Sequence, residues 1–262
     1  MSLHAPGASS DPDKNPHPVE TLIKRLDVLD ELPSAVEVRR RSYELLGLAP
    51  GSRVVDVGCG PGRAVAEMTE AGLKAIGVDV SERMVDVARW RRPDVDVRLG
   101  DACDLPLGDG EVAGYRAEKV FHELADPARA LREAARVLAP GGRIVLVGQD
   151  WDTFVIDSDE PALTRVIVHT RADAVTSPRA ARAYRNLLLD AGFTSPSVEV
   201  RTAVFTDGLM LPMLSGIAAH ARETGAIGEE EAGRWIAEQE ARGRAGRMFL
   251  ALPLFLASAR RP

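Results

Sequence analysis

Between a run of β-branched residues and a helical pattern the chain carries Val54-Val55-Asp56-Val57-Gly58-Cys59-Gly60-Pro61-Gly62-Arg63. Glycines at alternate positions after a strand allow a turn whose backbone a ligand approaches closely. A dinucleotide fingerprint would space them GxGxxG, with a pyrophosphate on the helix N-terminus. Here the third glycine is Gly62, and Arg63 stands where that fingerprint needs glycine. Asp56, just before the turn, suits a ligand bearing an ammonium and a sulfonium better than a pyrophosphate. Asp79, in GVDVS, follows Gly58 by 21 residues, the distance at which α/β nucleotide folds set a carboxylate on ribose hydroxyls. Asp101, in Gly100-Asp101-Ala102, closes a third apolar run. Singly, each acid is more simply a helix cap or a solvated side chain. Together they put three carboxylates at the C-terminal ends of three adjacent strands, lining one crevice.

The elements that must position them follow from periodicity. Apolar β-branched runs (RVVDVG, KAIGVDV, VDVRLG, EVAGYRAEKV, RIVLVGQ) alternate with helical patterns near 62–71, 81–90 and 127–138. This order predicts a doubly wound parallel sheet with right-handed crossovers. Two helices should precede it, one carrying Val19, Leu22, Ile23, Leu26 and Leu29, the other starting at Pro33 and Ser34. After Gln149 the alternation stops. Residues 158–191 and 207–247 read as helical, 197–205 as a strand and 249–260 as a closing strand. The expected division is a disordered tail (1–16), N-terminal helices over the site (17–50), an α/β core (51–156), a helical cap (157–191), and the last two strands (192–262) with a helical lid inserted at 207–247.

Composition limits the partners. The 262 residues carry 33 Lys plus Arg against 39 Asp plus Glu, a net charge of −6, which argues against a nucleic-acid backbone as main partner. With no long apolar run and no leader-like N-terminal pattern, the expectation is a soluble, cytoplasmic protein without a membrane partner. Cys59 and Cys103 form no disulfide framework, and no Cys or His spacing suggests a metal.

On VVDVGCGPG, VDVS followed by Met84, GDA, and LAPGGRIVLVG, in that order and spacing, the sequence resembles the class I S-adenosylmethionine-dependent methyltransferases. It is particularly similar to the ubiquinone/menaquinone-biosynthesis-like enzymes that methylate small molecules. The likeness covers residues 40–150 closely and the rest loosely. It implies a mostly parallel, seven-stranded α/β sheet with N-terminal helices and helical cap and lid insertions. It also implies S-adenosylmethionine as cofactor and S-adenosylhomocysteine as product. Gly58, Gly60 and Gly62 would then shape the methionine pocket, with Asp56 orienting it. Asp79 would take the ribose hydroxyls, Asp101 the adenine amino group, Ala102 a backbone contact to adenine, and Met84 one adenine face. Val80 and Glu118 complete the expected cofactor set. The implied reaction is methyl transfer to an O, N or C nucleophile of a small organic acceptor, by a monomer or homodimer. Four Lys against 29 Arg hints at a GC-rich bacterial genome and secondary metabolism. The rival readings are a non-methylating enzyme, such as a cyclase, that uses the bound sulfonium, and a nucleotide-dependent oxidoreductase.

On the acceptor side, Ala117 to Leu124 lacks the Asn/Asp-Pro-Pro-Tyr/Phe signature of enzymes that methylate a planar amide or an exocyclic amine. His122 stands where a proton acceptor is wanted, and an imidazole is a usable base near neutrality; the plainer alternative is a helix cap. Asp150 and His169 are the further catalytic candidates, while Arg171 and Tyr184 fall in the cap. Asp150 and Asp152 lack the Asn neighbour of a metal-dependent site, so no catalytic metal is expected. Leu209, Met210, Leu211, Met213, Leu214 and Ile217 form either core packing or a lid wall over an apolar acceptor.

Overall fold

The computed structural model describes residues 27–262. The expected tail at 1–16 and most of the first expected helix lie outside these residues; of that helix, 27–30 are described and are helical.

Five strands, β1 (Arg53–Val57), β2 (Lys74–Asp79), β3 (Asp96–Leu99), β4 (Val112–Glu118) and β5 (Leu138–Gln149), pair in parallel in the order β3-β2-β1-β4-β5. Val54 to Val57 are all buried, as parallel strands covered on both faces require. The connecting helices are α1 (Pro33–Leu46), α2 (Arg63–Glu70), α3 (Glu82–Arg91) and α4 (Pro127–Val137). Their starts follow local chemistry. The Ser81 hydroxyl accepts from Met84 N at the head of α3, and the Asp126 carboxylate accepts from Arg129 N at the head of α4, where Pro127 holds the first turn. Because β1 lies between β2 and β4, the winding direction reverses there, and a crevice opens at the strand C-termini.

The second half holds α5 (Pro161–Asp173), α6 (Ala180–Asp190), β7 (Thr194–Phe205), α7 (Leu211–Glu223), α8 (Glu229–Arg244) and β8 (Leu250–Arg260). β8 runs antiparallel to β5, and β7 antiparallel to β8. Among the described residues the sheet has eight strands, one more than expected, because a two-residue β6 (Val155–Ile156) pairs with the start of β8. Two residues carry no readable period, so this strand left no signal.

Among the described residues, apolar side chains collect in three cores. One sheet face packs Val55, Tyr115, Ile144 and Leu131 with Tyr184 of α6. The other packs Val54, Val65, Met68, Val85 and Val145 beneath α1 to α3. A third joins α5, α7 and α8 through Ile167, Leu214, Ile217 and Trp235. The buried Trp235 Nε1 donates to Thr164 Oγ1 at 2.9 Å. Met210, Leu214 and Ile217 therefore serve core packing. Among the described residues no helix is long and apolar enough to cross a membrane.

Candidate active site

The glycine turn is fixed from its own backbone. Gly58 N and Cys59 N both donate to Val78 O, at 2.7 and 3.1 Å, and Gly60 N donates to Asp79 Oδ2 at 2.8 Å. Gly58 and Gly60 have φ of 68° and 53°, in the left-handed region that favours glycine. A Cβ on Gly58 would stand 2.3 Å from Val120 Cγ2, whereas one on Gly60 would meet nothing within 4 Å. Gly58 thus lets the β4 end approach, and Gly60 faces open space. Gly60→Val should cost about 1–2 kcal/mol in backbone strain, measured by urea unfolding, and should also fill that space.

A crevice of about 370 Å³ lies above the turn. Its polar groups are Asp79, Asp101, Lys119 and Glu123; Val80, Ala102, Val120 and Leu124 supply apolar wall. The Asp79 oxygens accept from Gly60 N and Ser81 N, and Asp101 Oδ1 accepts from Cys103 N at 2.7 Å. A carboxylate offers about four lone-pair positions, so both acids retain capacity for a ligand. Val80 is 72% exposed at the crevice edge.

Several expected site residues lie elsewhere. Asp56 is buried below the turn, where Oδ1 accepts from Arg116 at 2.6 Å. Glu118 is half-buried, and its Oε2 accepts from the same guanidinium. Burial pushes the Asp56 carboxyl up while Arg116 draws it back. Burial also opposes the Glu118 anion, but Arg116 and Lys119 outweigh it and hold that carboxyl below its ordinary value. Met84 sits half-exposed in the first turn of α3, its N–H bonded to Ser81, and is not among the described residues of the crevice wall. None of the three is among the residues lining the crevice, since a strand end or helix start fixes a residue's height along the sheet but not the direction its side chain takes.

His122 also departs from expectation. It is 7% exposed, with its ring 5.5 Å from Trp151 and Nε2 3.0 Å from Glu123 Oε1. Nδ1 is buried without a hydrogen-bond partner among the described residues. The turn after β4 sends Phe121 into the core, His122 under Trp151, and Glu123 into the crevice wall. The group presented to a ligand is therefore Glu123, with His122 behind it. Burial lowers the His122 pKa below its ordinary 6.5, and Glu123 opposes that shift only in part. The unfolded chain then binds the proton first, so His122 costs stability as pH falls below about 6.5 toward the depressed folded value. His122→Gln should lessen the acid-side loss of stability relative to wild type, read as urea midpoints from about pH 7 to about 5.

Asp150 is fully buried; both its oxygens accept from Arg182 of α6, and Oδ1 also accepts from Asp152 N. It anchors α6 to the end of β5. His169 is exposed on α5 and borders a separate cavity of about 330 Å³ that also touches Phe154 and Ile156. Arg171 stacks 4.6 Å over the Trp151 ring. Tyr184 is core, its ring edge-on to Phe121. Among the described residues no group of three or more His, Cys, Asp or Glu is arranged to hold a metal ion.

Sequence reasoning set the segment 117–124 on the acceptor side but singled out none of Lys119, Val120, Glu123 and Leu124, which line the crevice, and it missed Arg116 beneath it. A signal for Arg116 existed, since Arg116 and Glu118 stand two apart, hence on one face, in an otherwise apolar strand. Lys119 has φ of 58°, unusual for a residue with a side chain.

Residues 55–146 match the family model described as a methyltransferase domain. An uncharacterized protein of transposon TN4556 from Streptomyces fradiae is 37% identical over 74% of this chain and 59% of its own length. The demethylmenaquinone methyltransferase of Renibacterium salmoninarum is 32% identical over 54% of this chain and 63% of its own. The chain thus spans about three fifths of each of these relatives. Among solved structures, phosphoethanolamine N-methyltransferase 2 of Haemonchus contortus, in complex with S-adenosylhomocysteine, superposes with a TM-score of 0.56 at 17% identity, covering 86% of this chain and 53% of that one. Residues 55–146 are thus similar to a methyltransferase domain, and the fold is shared with solved methyltransferase structures.

The residues present suit the cofactor of that family. Gly60 opens onto empty space where a side chain would stand, Asp79 and Asp101 keep free acceptor capacity, and Val80 and Leu124 offer apolar wall to a flat base. The crevice therefore has the donor and acceptor chemistry that an adenosine thioether or sulfonium requires.

Proposed function

We propose that this chain transfers the sulfonium methyl of S-adenosylmethionine to an O, N or C nucleophile of a small organic molecule. The observation that carries the reading is the joint placement of the left-handed glycine turn, Asp79 and Asp101 around one crevice at the switch point of the sheet. Asp79 would accept from the ribose hydroxyls, Asp101 from the adenine amino group, and Val80 and Leu124 would flank the base. Bound S-adenosylmethionine supplies a methyl group already activated by positive sulfur. The chain's main task is then alignment of two reactants, an effect capable of about 7 kcal/mol or more. Lys119 and Glu123, on the wall furthest along β4, are the charged groups placed to meet an acceptor. A net charge of −6 supports a small acceptor over a nucleic acid.

The test is calorimetric titration with S-adenosylhomocysteine and with NAD, followed by an intact-mass screen of candidate acceptors for a gain of one CH₂. Binding of S-adenosylhomocysteine alone is expected, with its release during turnover. NAD binding in its place would overturn the reading. Acceptor conversion without release of S-adenosylhomocysteine would point to a non-methylating enzyme.

A further inference from the structure

The two edges of the sheet are unlike. β3 closes one side with four residues, two of which, Asp96 and Arg98, are charged and bonded to each other at 3.0 Å. A short, charged strand is a blunted edge. β7 closes the other side. From Ser197 to Phe205 it pairs with β8 without interruption, and its bulge and its proline, Pro196, lie near its start. Among the described residues no strand pairs with its outer side. Side chains along it divide by parity. Glu199 and Arg201 face α1, where Glu199 accepts from Arg41 at 2.9 Å and Arg201 lies 3.9 Å from Glu37. On the opposite face Val198, Val200 and Val204 are 39, 51 and 53% exposed, with Thr202 exposed among them. A long strand with an open edge and an apolar face is a template for another chain.

The charges along the edge select which chain that is. Glu199 and Arg201 stand one residue to either side of Val200. Two copies of β7 laid antiparallel about a two-fold axis at Val200 set Glu199 of each across from Arg201 of the other. Val200 then meets Val200, and Val198 meets Thr202. Sliding one strand by two residues, the smallest slip that keeps every side chain on its own face, sets Glu199 against Glu199 or Arg201 against Arg201. A parallel pairing in register does both. Opposite charges directly across a strand pair stabilise it and like charges oppose it, so one self-complementary register is favoured. The α1 face also leaves room. A cavity of about 300 Å³ lies between Ser34, Glu37 and Val38 of α1 and the stretch from Val200 to Ala203, on the side from which a second copy's Glu199 would approach Arg201.

We propose that β7 is a homodimer interface: two copies of this chain pair through it, antiparallel about Val200, and join their sheets into one. The pairing covers the valine stripe and gives the outer main-chain groups of β7 their partners. β5 and β8 separate β7 from the strands that carry the crevice, so the inference does not depend on the cofactor reading.

Analytical ultracentrifugation of the full chain from about 1 to about 100 µM reads the association. Wild type should reach twice the chain mass of 28.2 kDa. Val200→Lys sets two like charges on the axis and should weaken association about tenfold or more. Arg201→Glu and Glu199→Arg should each do the same alone, because each leaves like charges opposite one another. Mixed in equal amounts, these two variants should associate with each other, since every cross-strand charge pair is again an acid facing a base. Far-UV circular dichroism checks that each variant is folded. Val200→Lys and Arg201→Glu, at exposed positions, keep the test decisive if Glu199→Arg, which also gives up Arg41, does not fold. A wild type that stays monomeric throughout, as it would if residues 1–26 or a different protein covered the strand, overturns the proposal. So does a dimer indifferent to all three changes, or a mixture of the two charge variants, both folded, that does not associate.

Discussion

Arg182→Ala lowers the stability of the fold by about 3–5 kcal/mol, because it strands a buried carboxylate without its cation. Asp150 is fully buried, whereas the Arg182 side chain is 44% exposed, so the two halves of this pair are not equivalent. Removing the arginine leaves Asp150 accepting from Asp152 N, at 3.1 Å. Removing the acid leaves a guanidinium that water solvates. Asp150→Ala should therefore cost less, about 1–3 kcal/mol for the lost hydrogen bonds. Urea unfolding of the two single variants reads the difference. Each folded variant should bind S-adenosylhomocysteine as wild type does. A larger loss for Asp150→Ala than for Arg182→Ala would contradict the burial asymmetry, and weakened cofactor binding with unchanged stability would return Asp150 to the site.

Asp150 also shows where sequence reasoning loses its grip. The placement of the glycine turn, Asp79 and Asp101 around one crevice was legible because backbone position sets it: a strand end, a turn that needs positive φ, a carboxylate at a fixed distance along the chain. The order of strands and helices through β5 was legible for the same kind of reason, since a buried parallel strand and an amphipathic helix leave different periods. Asp150 and Asp56 carry the right chemistry at the right height in the sheet, but each is claimed by an arginine remote in sequence, Arg182 by 32 positions and Arg116 by 60. One sequence read for local pattern cannot reveal such a partner. His122 failed differently: within the four residues Phe121 to Leu124, side chains enter the core, the underside of Trp151 and the crevice. A turn assigns these directions by its own geometry, which has no period to read.

Asp79→Ala should weaken S-adenosylhomocysteine by about 2–3 kcal/mol, close to 10²-fold, through loss of charge-assisted bonds to the ribose hydroxyls. The same change frees Gly60 N, which now donates to Asp79 Oδ2 at 2.8 Å, so slackening of the glycine turn adds to the loss. Asp79→Asn separates the two contributions, because its amide keeps one acceptor oxygen but surrenders the charge and the second acceptor. It should fall between wild type and Asp79→Ala. 5′-Methylthioadenosine, the same adenosine thioether without the amino-acid end, carries the same ribose, and it should lose affinity as S-adenosylhomocysteine does. If Asp79→Ala binds both ligands at wild-type affinity in calorimetry while the fold is intact, the ribose does not meet Asp79, and the crevice between β1 and β2 is not where the nucleoside lies.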